Sequence, residues 1–242
     1  MERPISQKIS LNSCGALNLD EWYTKEITEA SYKELIELTM WINTAYGYHP
    51  FIIGGWAVYS YTKSLGSRDI DMVFPTKTSV EKVLMPYYQM RGYKEEGVFS
   101  KSFYLEVKTE KGIEKIMLDA CSLSNHNTLH ENKDIEIPWD LTQRYYQEWT
   151  MHKNAMVQVP HIELLLIYKI KALCDRRYDL HHTSLSAINK SYINSKIWKD
   201  EYDITTLSKS TIDKEKIRKI NETTNFTEYF QREVKRLKIN FS

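Results

Sequence analysis

One stretch constrains this chain more than any other, Phe51 to Phe74, which reads FIIGGWAVYSYTKSLGSRDIDMVF. Phe51-Ile52-Ile53 is a short apolar run with β-branched residues, which predicts a strand, and Gly54-Gly55 ends it. From Trp56 to Leu65, apolar or aromatic residues at 56, 57, 58, 61 and 65 follow helical spacing, and Gly66-Ser67 breaks the helix. Ile70, Met72 and Phe74 then alternate with Asp69, Asp71 and Val73, a strand period. That period puts the carboxylates of Asp69 and Asp71 on one face, about 7 Å apart along the strand.

Two carboxylates on one strand face repel. Near neutral pH one of them holds a proton unless a cation sits between them. Mg²⁺ suits the position, because it prefers carboxylate oxygen and completes its shell with water and substrate phosphates. Gly54 and Gly55 offer the complementary half. Glycines between a strand and a helix N-terminus let backbone N–H groups approach a phosphate, and the helix dipole favours that anion. A phosphate cradle and metal carboxylates on adjoining strand ends suit phosphoryl or nucleotidyl transfer. Taken singly, a diglycine is usually a turn, and Asp-x-Asp is common on solvated strand edges. Their order on strand, turn, helix and strand is what makes the pair specific.

Gly54-Gly55, a helix and then Asp69-Ile70-Asp71 resemble the signature of the DNA polymerase β-like nucleotidyltransferase superfamily. The wording Gly54-Gly55-Trp56-Ala57-Val58 is most like its antibiotic-modifying members, the lincosamide and aminoglycoside nucleotidyltransferases. It is also similar to the nucleotidyltransferase toxins of abortive-infection and toxin–antitoxin systems. The resemblance implies an α/β (α+β) fold, a mixed sheet flanked by helices. It implies an NTP donor, Mg²⁺ (with Mn²⁺ as the alternative) and a third carboxylate on a strand beside the Asp-x-Asp strand.

Asp119 fits that third position. Ile113 to Cys121, IEKIMLDAC, reads as a strand, with Ile116, Leu118 and Ala120 on one face and Lys115, Met117, Asp119 and Cys121 on the other. A half-buried carboxylate in an apolar run needs a cation or hydrogen-bond donors. The bland alternative is a strand-end Asp that caps the next loop. By the resemblance, Asp69 and Asp71 hold the metal that grips the triphosphate. Asp119 completes a second metal site or takes the proton of the attacking hydroxyl. Many members carry Arg four residues before the first Asp, where this chain has Leu65. Ser67 matches the hydroxyl often found two before it, and Arg68 offers a charge off the usual position.

Further along, Glu26 to Ala45 predicts a helix with Ile27, Leu35, Leu38, Ile42 and Ala45 as its stripe, ended by Gly47. Another runs from Thr78 or Ser79 to Arg91, with Pro86 set to end or kink it. Residues 1–20 read as irregular, and short strand pieces flank Gly97. His126 and His130 read as exposed loop residues. Trp139, Tyr145, Tyr146 and Trp149 read as packing aromatics, with base stacking as the lesser reading. Pro160 reads as a helix start for HIELLLIYKIKALCDRRY, residues 161–178, the clearest helical stretch.

On that helix Lys169 and Arg176 are two turns apart and share a face. Either they are a solvated face with snorkelling stems, or Lys169 clamps a triphosphate and offsets charge on the leaving pyrophosphate. After a polar, insertion-like segment at 181–198 comes Lys199-Asp200-x-x-Asp203. Together with Lys169 and Arg176 it looks like a helical motif of the toxin-type members, though across a longer gap. Thr224 or Asn225 is set to cap a last helix to about Lys238.

The bulk properties bound the rest. The chain has 242 residues, 42% hydrophobic and 27% charged, an ordinary globular composition. Net charge is +1, so there is no global case for nucleic-acid binding. Residues 1–150 are net −5 and residues 151–242 net +6, an imbalance that suits a polyanion between them. Cys14, Cys121 and Cys174 show no paired spacing and fit a reducing, cytoplasmic setting. No apolar run approaches the ~18 residues of a membrane span, and the N-terminus has no leader-like apolar core.

The expectation is therefore a nucleotidyltransferase domain over 1–158 followed by a mainly helical region over 159–242. The reaction moves an NMP from an NTP to a hydroxyl with release of pyrophosphate. The catalytic and metal residues are Asp69, Asp71 and Asp119; Gly54, Gly55, Ser67, Arg68, Lys169 and Arg176 hold the nucleotide phosphates. A small-molecule hydroxyl acceptor is favoured by the GGWAV wording, and RNA or protein by the basic C-terminal half. A non-catalytic nucleotide-binding protein is the third reading. Whether an antitoxin partner exists is left open.

Overall fold

The computed structural model describes residues 22–96, 102–184 and 186–241. The irregular reading of 1–20, Cys14 and the break at Gly97 lie outside them. Seven strands form one mixed sheet in the order β3-β4-β5-β2-β1-β7-β6. They are β1 (Phe51–Ile52), β2 (Ile70–Phe74), β3 (Lys94–Glu96), β4 (Ser102–Thr109), β5 (Gly112–Ser122), β6 (Tyr146–His152) and β7 (Ala155–Pro160). Parallel pairing joins β2 to β5 and β1 to β7, and the other pairs are antiparallel. Ile70, Met72, Val73 and Phe74 of β2 are buried, as expected of a central strand covered on both faces.

Helix α1 (Lys25–Tyr46) begins at Thr24, whose hydroxyl accepts from the Ile27 N–H, and stops at left-handed Gly47. Its stripe Ile27, Leu35, Leu38 and Ile42 is buried as the spacing predicts, whereas Ala45 is exposed. Its Glu34, 2% exposed, accepts from the hydroxyls of Tyr87 at 2.8 Å and Tyr93 at 3.0 Å and from Arg91 at 2.5 Å. Those partners pin α1 to α3 (Lys77–Arg91) and the segment after it. Helix α3 contains Pro86 and still continues to Arg91, where Gly92 ends it at φ 74°.

Helix α2 (Gly54–Thr62) differs from the sequence expectation at both ends. It opens on the diglycine itself, and Lys63, at φ 51°, ends it ahead of Gly66-Ser67. Trp56, Ala57 and Val58 are its buried side, and the Trp56 indole donates to the Ser31 hydroxyl of α1 at 3.1 Å.

The C-terminal region is helical: α4 (Ile162–His182), α5 (Ala187–Leu207), α6 (Lys214–Thr223) and α7 (Thr227–Arg236). Pro160 closes β7, and α4 starts two residues later, because His161 still has extended backbone. Leu164 to Ile170 are buried without a break, so α4 is covered on all sides. The segment 181–198 is not a polar insertion. Most of it is the first half of α5, and its buried side carries Ser195, Lys199, Asp200 and Asp203 beside Ile197 and Ile204. The last helix begins after Phe226 instead of Thr224 or Asn225, because Asn225 turns left-handed at φ 55°.

Candidate active site

The parallel register of β2 and β5 sets Asp71 opposite Asp119. Asp69 immediately precedes β2. The chain leaves β1 through Ile53, whose N–H donates to the Asp71 carbonyl at 3.0 Å, and enters α2 at Gly54. A Cβ on Gly54 would lie 2.0 Å from Asp71 Oδ2, and one on Gly55 would lie 2.8 Å from the Ser67 Cβ. Gly54 also has φ +66°, a left-handed backbone that L side chains rarely adopt. The diglycine is thus required by close approach to Asp71 and Ser67, and it leaves the start of α2 facing the carboxylates. The Ser67 hydroxyl accepts from the Asp69 N–H at 3.3 Å, bracing the turn.

These groups line a cavity of about 490 Å³. Gly54, Gly55, Ser67, Asp69, Asp71 and Asp119 line it from the sheet and its glycine turn. Lys169, Arg176, Lys196, Lys199 and Asp200 of the two following helices line it as well, as do Tyr23, Trp139 and Tyr168. Trp139 packs on Tyr168 of α4, ring centroids 4.9 Å apart, while Trp149 lies against Tyr32 and Tyr59. Trp139 therefore both packs and lines the cavity. His126 and His130 are exposed, as read, and each faces a carboxylate, Glu136 and Asp179 respectively.

Arg68 goes elsewhere. Its guanidinium donates to the Trp22 carbonyl at 3.1 Å and pairs with Glu114 at 3.4 Å, on a second cavity beside the first. Lys169 is buried, and Arg176 is half-buried. Lys169 pairs with Asp200 at 3.1 Å and Asp203 at 2.8 Å; Arg176 pairs with Asp200, and Lys199 with Asp203. Three cations and two carboxylates thus form a buried seam between α4 and α5. The sequence gap between the halves of this motif is the end of α4, the α4–α5 turn and the first half of α5.

Sequence reading missed Lys196, whose ammonium bonds the Asp69 carboxylate directly. A signal existed in the spacing of Tyr192, Lys196, Lys199 and Asp203, i, i+4, i+7 and i+11, which is one helical face made of polar groups.

The electrostatics follow from crowding. Burial, then Asp119 and Asp69, push the Asp71 carboxyl up to about 7, against Lys196 and Lys169. The Asp119 carboxyl opens to the cavity, yet desolvation and then Asp69 raise it too. Burial is the largest influence on Lys196 and favours its neutral form, but Asp69, with Tyr23 and Tyr192, outweighs it and holds the ammonium charged. Burial brings Lys199 down to about 8. Asp203 stays below the usual carboxylate range, since Lys169 and Lys199 overcome its burial.

Among the described residues no group of three or more acidic, histidine or cysteine side chains is gathered so as to hold a metal ion. The open set of Asp69, Asp71 and Asp119 is nevertheless all oxygen donors, the chemistry that Mg²⁺ or Mn²⁺ takes. The raised carboxyls of Asp71 and Asp119 mark excess negative charge of the kind that a divalent cation would relieve, so the donor chemistry suits the ion.

No family model matches the chain, and no curated protein does. Among solved structures, one similar chain is the antibiotic-resistance factor ANT(2″)-Ia, a solution structure described as revealing substrate-regulated conformation dynamics. The match has a TM-score of 0.40 at 12% identity and covers 85% of this chain and 99% of that one.

Proposed function

We propose that this protein is a divalent-metal-dependent nucleotidyltransferase that moves an NMP from an NTP to the hydroxyl of a small molecule and releases pyrophosphate. The observation that carries the reading is one cavity lined by two sets of groups. Asp71 and Asp119 in register, beside Asp69 and the diglycine, form the first; the cations of α4 and α5 form the second. We read residues 1–158 as the catalytic part and 159–242 as the helical part that supplies the cations.

Each residue then has a role. The glycine turn at Gly54 and Gly55 admits a phosphate close to backbone at the start of α2, with the Ser67 hydroxyl beside it. Asp69, Asp71 and Asp119 would hold Mg²⁺ or Mn²⁺, which would stabilise negative charge on the phosphoryl oxygens. The acceptor hydroxyl oxygen attacks the α-phosphorus, and the bond from that phosphorus to the bridging oxygen breaks. The electron pair leaves with pyrophosphate, and the hydroxyl proton passes to the Asp119 carboxylate. Lys169, Lys199 and Arg176 face the departing pyrophosphate and offset its charge. Trp139 and Tyr168 offer an aromatic border for the base.

The test is isothermal titration of Mg²⁺ with ATP, CTP, GTP and UTP into wild type and Asp69→Asn/Asp71→Asn. The expected result is metal-dependent binding of one or more NTPs, lost in the double variant. Binding of no NTP by wild type in the presence of metal would sink the proposal.

No helix among the described residues is long and apolar enough to cross a membrane.

A further inference from the structure

Lys196 is placed unlike the other cations that line the first cavity. Lys169, Arg176 and Lys199 are each paired within the seam, with Asp200 or Asp203. Lys196 leaves its own helix and crosses to the sheet, where its ammonium bonds Asp69. Both partners are largely buried, their side chains 18% and 15% exposed. Arg68, next to Asp69 in sequence, is drawn off to the Trp22 carbonyl and Glu114. The Lys196 charge also bears on the neighbouring carboxylates, favouring the ionised forms of Asp71 and Asp119. One ammonium of the chain thus does for these carboxylates what a divalent cation would do.

That pairing bears on how a metal ion could load. A divalent ion on Asp69 would sit beside the ammonium, and two cations on one largely buried carboxylate repel. An ammonium that yields the carboxylate is left largely buried without a partner, which is costly. A donor triphosphate removes that cost, because its oxygens are anionic and Lys196 lines the cavity that would hold it. The ammonium also has the means to move. It ends a flexible four-carbon stem and lines both cavities, and the centre of the Tyr192 ring lies 5.3 Å from it as a face on which to rest. The helix itself need not shift.

We infer that Lys196 is an exchange cation: it holds Asp69 when no metal is bound, yields that carboxylate to the divalent ion, and takes a phosphate of the donor in return. This rests on the nucleotidyl-transfer reading of the first cavity. No covalent bond changes. The Lys196–Asp69 pair is replaced by a metal–Asp69 pair and a Lys196–phosphate pair. Metal alone therefore binds poorly, and metal together with a triphosphate binds well.

The experiment titrates Mg²⁺ alone, and then inorganic triphosphate in saturating Mg²⁺, into wild type, Lys196→Met and Lys196→Arg by calorimetry. The expected effects of Lys196→Met are opposite in sign for the two ligands. Mg²⁺ alone should bind about tenfold more tightly or better, because no ammonium competes for Asp69. Triphosphate should bind about tenfold more weakly, because the cation that receives it is gone. Lys196→Arg keeps the charge, so its affinity for Mg²⁺ alone should stay near that of wild type. A misfolded variant would weaken both ligands and show itself in thermal unfolding; Lys196→Gln, which also drops the charge, is then read in place of Lys196→Met. Affinity for Mg²⁺ alone equal to or below that of wild type in the uncharged variant overturns the inference, since a merely structural lysine gives that result. Triphosphate binding that ignores the substitution overturns it too. Either outcome leaves the first reading standing where wild type binds an NTP with metal. Wild type that binds no NTP with metal removes that reading and this one with it.

Discussion

Replacing Asp71 by asparagine is expected to make the metal-free chain more stable while it destroys metal binding. Asp71 sits across from Asp119 and near Asp69, and burial with these charges brings its carboxyl to about 7 from 3.8. The sign follows from which state holds the proton. The folded chain keeps the proton up to about pH 7 and the unfolded chain releases it near 3.8, so stability falls as pH rises through that window. Once both states are ionised, the penalty reaches about 4 kcal/mol at pH 8, against about 1.5 kcal/mol at pH 5. These are upper figures, because cavity water screens the charges. Asparagine keeps the shape and drops the charge, so its gain should grow between pH 5 and pH 8. For a chain of this size the gain at pH 8 corresponds to about 10 °C in Tm. Thermal unfolding in EDTA at both pH values is the assay, repeated with excess Mg²⁺. The ion should raise the Tm of wild type and leave the variant where it was. A variant no more stable than wild type at pH 8 without metal, or a gain that ignores pH, would refute the reasoning.

Four further outcomes follow from the same geometry. Metal binding at pH 7 should release about half a proton per site, because Asp71 titrates there; the buffer dependence of the calorimetric heat measures it. Gly54→Ala should abolish NTP binding and lower Tm, since its methyl would occupy the space of the Asp71 carboxylate and φ +66° disfavours a side chain; wild-type affinity in this variant would contradict the cradle. Glu34→Ala should cost roughly 3 kcal/mol in denaturant unfolding, because it leaves Tyr87, Tyr93 and Arg91 without their common acceptor. Lys169→Met should weaken NTP binding and lower stability by about 3 kcal/mol, with Asp203 left buried on one cation, whereas a change in stability alone would mean that the seam is only structural.

What the sequence disclosed depended on how each part is built. The strand, diglycine, helix and Asp-x-Asp order was legible because apolar alternation and paired glycines are local signals. Asp119 was legible as a lone carboxylate in an apolar strand, and its register with Asp71 followed once β5 lay beside β2. Helix α5 was not legible, because its buried face mixes ionic with apolar residues. Lys199, Asp200 and Asp203 are buried by one another and by Lys169 and Arg176, so charged residues interrupt the stripe of Ile193, Ile197, Ile204 and Leu207. Lys196 was hidden with it. Arg68 sits between α2 and β2, where no repeating period fixes side-chain direction, and only packing shows that it turns toward Trp22 and Glu114.

The pairing of Asp71 with Asp119 also governs which length changes the chain tolerates. Between β2 and β5 lie α3, β3, β4 and their turns, and residues gained or lost in those turns leave the two strands free to keep their alignment. A single residue added or lost within β5 itself would shift Asp119 by about 3.4 Å and swing it to the opposite sheet face, bringing Leu118 or Ala120 opposite Asp71. Variation in length should therefore gather in the excursion between the strands, while the spacing within IDMVF and IMLDA stays rigid.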